Sequence, residues 1–267
     1  MFRKLNELFL LINNKEPIRR QEDLFGFSEN AASSMPEAAH FQYEQDDIDL
    51  IASFYSGMLQ PSNLPEPTRT LFNLSVNAFE IFIHSWMSEI PIERESVIFA
   101  KKIIAASVQM NSQEEKHRAA EQVINDRGDS DTLTMLNVSA RVTREIHRMT
   151  ELLRFSPDAD GVFIAKCAPD HLVLPALGIY FTARFSETAW AIIDEKRNLC
   201  LCGQNGKQAK IMISEDIQTG FKSEGNDDWE ALWKHYHRTI NNESRDNPNL
   251  QRQLMPRRYW KYLPEKT

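Results

Sequence analysis

Gly161-Val162-Phe163-Ile164-Ala165-Lys166-Cys167 is the stretch on which the reading of the fold turns. Its β-branched and aromatic residues suit a pleated, half-buried surface, so the run is expected to be a strand. Upstream of Pro157 the apolar residues recur at three- and four-residue steps, the period of helices. Downstream, Trp190 to Ile193, Asn198 to Leu201 and Gln208 to Ile213 read as further strands, with Gly203-Gln204-Asn205-Gly206 as a hairpin turn between the last two. Between the first two strands, Asp170 to Phe185 reads as a helix with His171 near its start, Pro175 in its first turns and Arg184 near its end. Asp227 to Ile240 gives another, with Trp229, Leu232, Trp233 and Tyr236 at helical steps. The expected fold class is therefore α+β, with a helical N-terminal half and a small antiparallel sheet flanked by helices in the C-terminal half.

Moving outward, Met1 to Asn13 has the spacing of a helix, and the segment from about 15 to 47, with Pro17, Pro36, Ser33 and Ser34, reads as loop. Helical spacing resumes over Asp46 to Leu59 and is broken by Pro61, Pro65 and Pro67. Thr70 to Glu89 is expected as one helix, because Leu71, Leu74, Ala78, Phe82 and Trp86 form a stripe. His84 beside that stripe reads as a structural histidine. Pro91 opens a helix through about Val108, and Ser112-Gln113-Glu114-Glu115 offers a capping box for another that ends near Asp126. Gly128 is free to take a left-handed turn conformation. The longest helix is expected over Asp131 to Phe155, with Val142, Ile146, Met149 and Leu153 inward, Arg141, Arg144 and Arg148 on the far side, and His147 on a flank. This divides the chain into a helical lead-in over 1–125 and an α+β domain over 126–267.

Composition excludes several classes of function. The three cysteines, Cys167, Cys200 and Cys202, are too few for a four-thiolate metal or cluster site, and Cys200-Leu201-Cys202 lacks a two-residue spacer, so reduced thiols and a cytoplasmic location are expected. No run is long and apolar enough to span a membrane, and the short apolar segment after Arg3 and Lys4 lacks a small-residue cleavage site. There is no Gly-rich phosphate loop and no serine nucleophile elbow. No cofactor and no metal site is expected, since His147 and His171 sit in separate elements without a ligand spacing pattern.

The chain carries 31 Lys and Arg against 38 Asp and Glu, a formal net charge of -7, so bulk electrostatics do not draw it to nucleic acid. The charge is unevenly sorted. Residues 1–130 hold 12 basic and 20 acidic side chains, while from Lys234 onward there are eight basic residues against three acids, so 8 minus 3 gives +5. Within that end, the segment Asn247 to Glu265 interleaves Arg252, Arg257, Arg258 and Lys261 with Tyr259, Trp260 and Tyr262, a composition that suits phosphate contact and base stacking. It equally suits a strap whose aromatics anchor in a core while its arginines stay solvated. The expectation that joins both is a buried Trp260 that orders the segment and holds Arg257 and Arg258 outward. Arg141, Arg144 and Arg148 are either phosphate contacts or partners of Glu145 and Glu151 along one helix. Glu145, His147, Asp170 and His171 are the candidate acid-base groups, because histidine titrates near neutral pH and a carboxylate can orient it.

Five segments in order carry a family resemblance: Arg144-Glu145-Ile146-His147-Arg148-Met149 continuing to Arg154-Phe155; Pro169-Asp170-His171-Leu172-Val173-Leu174-Pro175; Phe181 with Arg184-Phe185; Trp190 through Asp194 to Arg197; and Asn247 to Glu265. Together they resemble the DUF4130 domain family over roughly residues 125–265. Tyr180 stands where relatives often have His, and Cys200-Leu201-Cys202-Gly203 where an aromatic strand is common. The resemblance implies a role beside DNA: the family's members are catalogued as probable DNA metabolism or DNA repair proteins, paired with a radical S-adenosylmethionine (radical SAM) protein or fused to a uracil-DNA glycosylase-like domain. The function expected is an accessory protein of DNA repair or modification. Its nucleic-acid contacts would be Arg141, Arg144, Arg148, Arg184, Arg257, Arg258, Tyr259 and Lys261, and its protein partner a radical SAM enzyme. The alternatives are an enzyme acting on a modified nucleotide through His147 or His171, and a protein-only scaffold that uses the acidic helical half.

Overall fold

A computed structural model describes residue 12 and residues 43–213, 227–240 and 247–266. The helix expected over Met1 to Asn13 and most of the loop-rich segment after it lie outside the described residues. Two compact units divide the chain, one holding the positions up to Leu50 together with Met58–Thr143, the other holding Ile51–Gly57 and the chain from Arg144 onward.

The first unit is helical. After the start of helix α1, Gln45–Tyr55, come α2, Thr68–Leu74, α3, Val76–Met87, α4, Glu93–Ser107, α5, Gln113–Asn125, and the start of α6, Ser130–Leu152. Leu71, Leu74, Ala78, Phe82 and Trp86 are all buried, as their spacing demands. They do not share one helix, however. Ser75 stands extended (φ -158°, ψ 118°) and its hydroxyl caps α3, accepting from the Ala78 amide. The same hydroxyl donates 2.8 Å to Glu121, so the break is fixed from both sides. Helix α3 is apolar almost all round and fully buried over Phe79 and Ile81–Met87. The expected capping box forms at α5 with both its hydrogen bonds. The turn before α6 departs from expectation: positive φ occurs at Gly57, Gly161 and Gly206 but not at Gly128, whose amide instead donates 3.0 Å to the Asp126 carboxylate.

The second unit carries a five-stranded sheet in the order β1 (Ser156–Pro157), β2 (Phe163–Cys167), β3 (Trp190–Asp194), β4 (Leu199–Gly203), β5 (Lys210–Ile213). It is mixed, not antiparallel as expected. Strand β2 runs parallel to β3, in register Ala165 to Ile192, because helix α7, Leu174–Arg184, must carry the chain back before β3 begins. The β4–β5 hairpin turns through Asn205 and Gly206, both at positive φ. Strand β3 is buried along its whole length, and α7 lies on one face of the sheet, where Gly178 leaves room for Leu201. Helices α8, Asp227–Ile240, and α9, Pro248–Leu254, follow, then 3-10 turns over Arg257–Tyr262 and Pro264–Lys266. The three cysteines are free thiols, and Cys167 is a buried strand residue.

Two stability predictions follow from these placements. Gly203 faces Trp190 across β3 and β4, and a Cβ there would lie 2.7 Å from the buried indole. Gly203→Ala is expected to lower unfolding stability by about 1 to 3 kcal/mol, read as a lower thermal midpoint. His84 is buried, its Nδ1 2.7 Å from the Ser139 hydroxyl, and burial lowers its pKa to about 4 from 6.5. The unfolded chain takes up a proton in that window and the folded one does not, so stability present above pH 6.5 drains away as the pH falls toward 4, by up to about 1.4 kcal/mol per pH unit. Urea unfolding across that range should show the loss, and His84→Gln should flatten it.

Candidate functional site

Helix α6 brings a carboxylate into the interior of the second unit. Glu145 is 2% exposed and falls on the buried stripe of Val142, Met149 and Leu152, one residue round the helix from the Ile146 stripe expected. Ile146 and Leu153 are only half-buried. The two Glu145 oxygens accept from the backbone amides of Asp170 at 2.8 Å and His171 at 2.7 Å. They also accept a short hydrogen bond from the Tyr259 hydroxyl, and the Arg258 guanidinium stands 3.7 Å away. Arg258 in turn donates to the Tyr259 oxygen at 2.9 Å and pairs with the Asp170 carboxylate at 2.7 Å. A buried charge is stable only when its lone pairs are filled in this way. Burial and the neighbouring Glu145 carboxylate push the Tyr259 phenol well above its ordinary range, so the hydroxyl stays a donor.

The Pro169-Asp170-His171 segment is gripped from its other side as well. Arg197 donates to the carbonyls of Pro169 at 3.1 Å and Asp170 at 2.8 Å, while its own charge is met by the buried Asp194 at 2.6 Å. Lys196 adds 3.2 Å to the Asp170 carbonyl. The loop is thus held by carboxylate on its amides and cations on its carbonyls.

The structure therefore brings Glu145, Asp170 and His171 together, but through main-chain groups, and it leaves His147 exposed on another face of α6 with no hydrogen-bond partner for its ring among the described residues. His171 precedes α7 instead of lying in its first turn. Arg141 and Arg144 are exposed, and Arg148 is half-buried with a 3.4 Å contact to the Gln253 carbonyl. The pairing of Arg141 with Glu145 does not form, because Glu145 faces inward. Tyr259, expected at a nucleic-acid surface, is 2% exposed and has no face left for a ligand. It also takes the anchoring role expected of Trp260. That indole is only half-buried, donates 2.9 Å to the Met255 carbonyl, and lies beneath Arg257 at 5.6 Å and Lys266 at 5.3 Å. Lys261 lies over Tyr262 at 4.5 Å, and the Tyr262 hydroxyl donates to Glu195 at 2.8 Å. Arg257 and Lys261 remain exposed, whereas Arg258 is committed to Asp170 and Glu145.

Beside this strap lies a cleft of ≈ 470 Å³ lined by Thr150 to Pro157 apart from Leu152, with Phe163, Arg184, Phe185, Trp233 and Pro264. Two Arg-Phe pairs meet there. The Phe155 and Phe185 rings are 4.7 Å apart, and Phe163 lies 5.7 Å from Phe185. Arg154 is 5.3 Å from the Trp233 ring and 2.8 Å from Glu265, which also accepts from the Trp233 indole at 2.8 Å. Glu265 is held below its ordinary pKa: burial works against the charge, and the hydrogen bond from Arg154 overrides it. Sequence reasoning placed Arg184 among the contact residues but missed the cleft, because Trp233 and Glu265 reach it from segments whose own periodicity says nothing about Phe155. Among the described residues no three His, Cys, Asp or Glu side chains stand where they could hold a metal ion, and no helix is long and apolar enough to cross a membrane.

These features define an α+β domain in which a mixed sheet, a buried helix carboxylate and a basic-aromatic C-terminal strap are tied into one unit. Residues 101–265, well over half the chain, match the family model of DUF4130, a domain of unknown function, and the protein belongs to that family. No curated protein and no solved structure matches the chain. For the site itself, Glu145→Ala leaves the Asp170 and His171 amides without their acceptor and the Tyr259 hydroxyl with nothing to donate to. It is expected to destabilise the second unit by about 3 to 5 kcal/mol and to speed hydrogen exchange through Arg257–Tyr262, whereas Tyr259→Phe should lose about 1 to 2 kcal/mol.

Proposed function

We propose that this protein is an accessory factor of DNA repair or modification that contacts nucleic acid through its C-terminal strap and works beside a radical SAM partner. The observation that carries the nucleic-acid part is the layering of cations on aromatic rings in the strap, Arg257 and Lys266 on Trp260 and Lys261 on Tyr262. Such layers set flat apolar faces beside positive charge, the pairing that a strand of bases and phosphates requires. Anchorage by Tyr259 holds the strap in place before any ligand arrives, which reduces the ordering cost of binding. The radical SAM partner and the DNA repair setting come from the family resemblance. The enzyme alternative has less support at Glu145, whose oxygens accept three hydrogen bonds and face the Arg258 guanidinium at 3.7 Å, and His147 stands apart from Glu145, Asp170 and His171.

Fluorescence anisotropy with single-stranded and duplex DNA at graded salt tests the contact. Arg257→Ala should weaken binding to every sequence and lower the salt slope by about one, with the fold unchanged, because Arg257 is exposed. Arg258→Ala should instead loosen the strap, since Arg258 bonds Asp170 and the Tyr259 hydroxyl. Co-purification with a radical SAM protein tests the partnership, and an unchanged salt slope in Arg257→Ala returns the strap to a structural role.

A further inference from the structure

The cleft between the two Arg-Phe pairs has chemistry that the strap does not use. Its floor is aromatic, built by Phe155, Phe163 and Phe185 with centroid separations of 4.7 and 5.7 Å. Its rim carries Trp233, 37% exposed, whose indole nitrogen is already satisfied by Glu265 and whose ring has Arg154 over it and Tyr236 beside it, so the ring is fixed in position with part of its surface open to solvent. Arg154 is neutralised by the same Glu265 carboxylate. Arg184 is exposed and forms no ion pair or hydrogen bond among the described residues, its guanidinium lying 5.9 Å from the Phe185 ring. Glu151 adds an exposed carboxylate acceptor of the kind that pairs with an exocyclic amino group.

An aromatic slot with one uncompensated guanidinium at its edge and one acceptor matches a flat heterocycle attached to an anion. At ≈ 470 Å³ the space lies in the range of small-molecule sites and is far too small for a stacked duplex. We infer that the cleft takes one unpaired nucleobase of a DNA strand, stacked against the Phe185 and Trp233 rings, with an adjoining phosphate on Arg184. This rests on the nucleic-acid reading above and specifies what part of the strand the protein selects: a base already out of the duplex, whose unstacking cost has been met elsewhere.

The test uses the full chain and two labelled strands of about twelve nucleotides, oligodeoxycytidylate and an abasic strand of the same length and charge. The cytidylate strand should bind about 5- to 150-fold more tightly, the fold-change equivalent of 1 to 3 kcal/mol of base stacking. Trp233→Ala should erase most of that difference and leave abasic binding unchanged, while Arg184→Ala should weaken both strands; both side chains are exposed enough for circular dichroism to confirm an intact fold. Cytidylate binding that survives Trp233→Ala overturns the cleft assignment and leaves strand binding in place. Absence of binding to either strand overturns the nucleic-acid reading itself. Displacement of the strand by deoxycytidine monophosphate at equal nucleotide concentration shows a free-nucleotide site and overturns the selection of a strand.

Discussion

The Glu145 carboxylate is the contact on which the second unit depends. Helix α6 supplies the carboxylate, and the loop before α7 and the C-terminal strap, from other parts of the chain, send their donors to its two oxygens. The desolvation penalty of a buried carboxylate is of the order of several kcal/mol and is offset only if all of those donors arrive together. A partial assembly, with the helix and loop joined but the strap absent, leaves the charge under-satisfied. The buried charge therefore adds specificity to an interior that apolar packing alone would define less sharply.

This arrangement sorts the basic residues of the strap by role. Arg258 is spent on Asp170 and Glu145, and Tyr259 supplies the buried ring and hydroxyl. The neighbours on either side, Arg257 and the Trp260-Lys261 pair, are turned out of that interior by the tight 3-10 winding of Arg257–Tyr262. A 3-10 turn advances a third of a circle per residue, so Tyr259 faces the interior while Arg257 and Lys261 fall on other sides of the turn and stay exposed. The structural role and the ligand-facing role proposed above thus fall to different side chains of one short segment.

Much of this fold was legible in the sequence because its elements are periodic. The buried stripe from Leu71 to Trp86, the capping box at Ser112, the helix at Asp227–Ile240 and the hairpin at Asn205-Gly206 rest on local chemistry that needs no tertiary partner. What periodicity could not show was where a polar residue overrides it. Ser75 breaks a continuous stripe because its hydroxyl bonds both Ala78 and Glu121, the latter 46 residues away. Residue type suggests Glu145 as a helix partner of Arg141 or as an acid-base group, since a carboxylate is normally exposed. Its spacing of three from Val142 and four from Met149 already set it on the buried face, and that conflict between residue type and position was the one available signal for the site. The parallel pairing of β2 and β3 was also readable, since a helix lies between them; the antiparallel expectation overlooked that constraint.

The same reasoning explains how an acidic protein can present basic chemistry locally. With a net charge of -7, long-range attraction to a polyanion is weak, and screening confines what remains to within about 10 Å at moderate salt. The nucleic-acid contact proposed above must then come from short-range groups whose counter-charges are assigned in advance. In the second unit Arg197 is matched by Asp194, Arg154 by Glu265 and Arg258 by Asp170 and Glu145. Each of these pairs fixes geometry and leaves little field outside. Arg184 and Arg257 lack such partners among the described residues, and both lie beside aromatic rings. Under the function proposed above, their charge acts over one or two phosphates, at the places where a ring can meet a base, and a strand is read by contact and not by attraction at a distance.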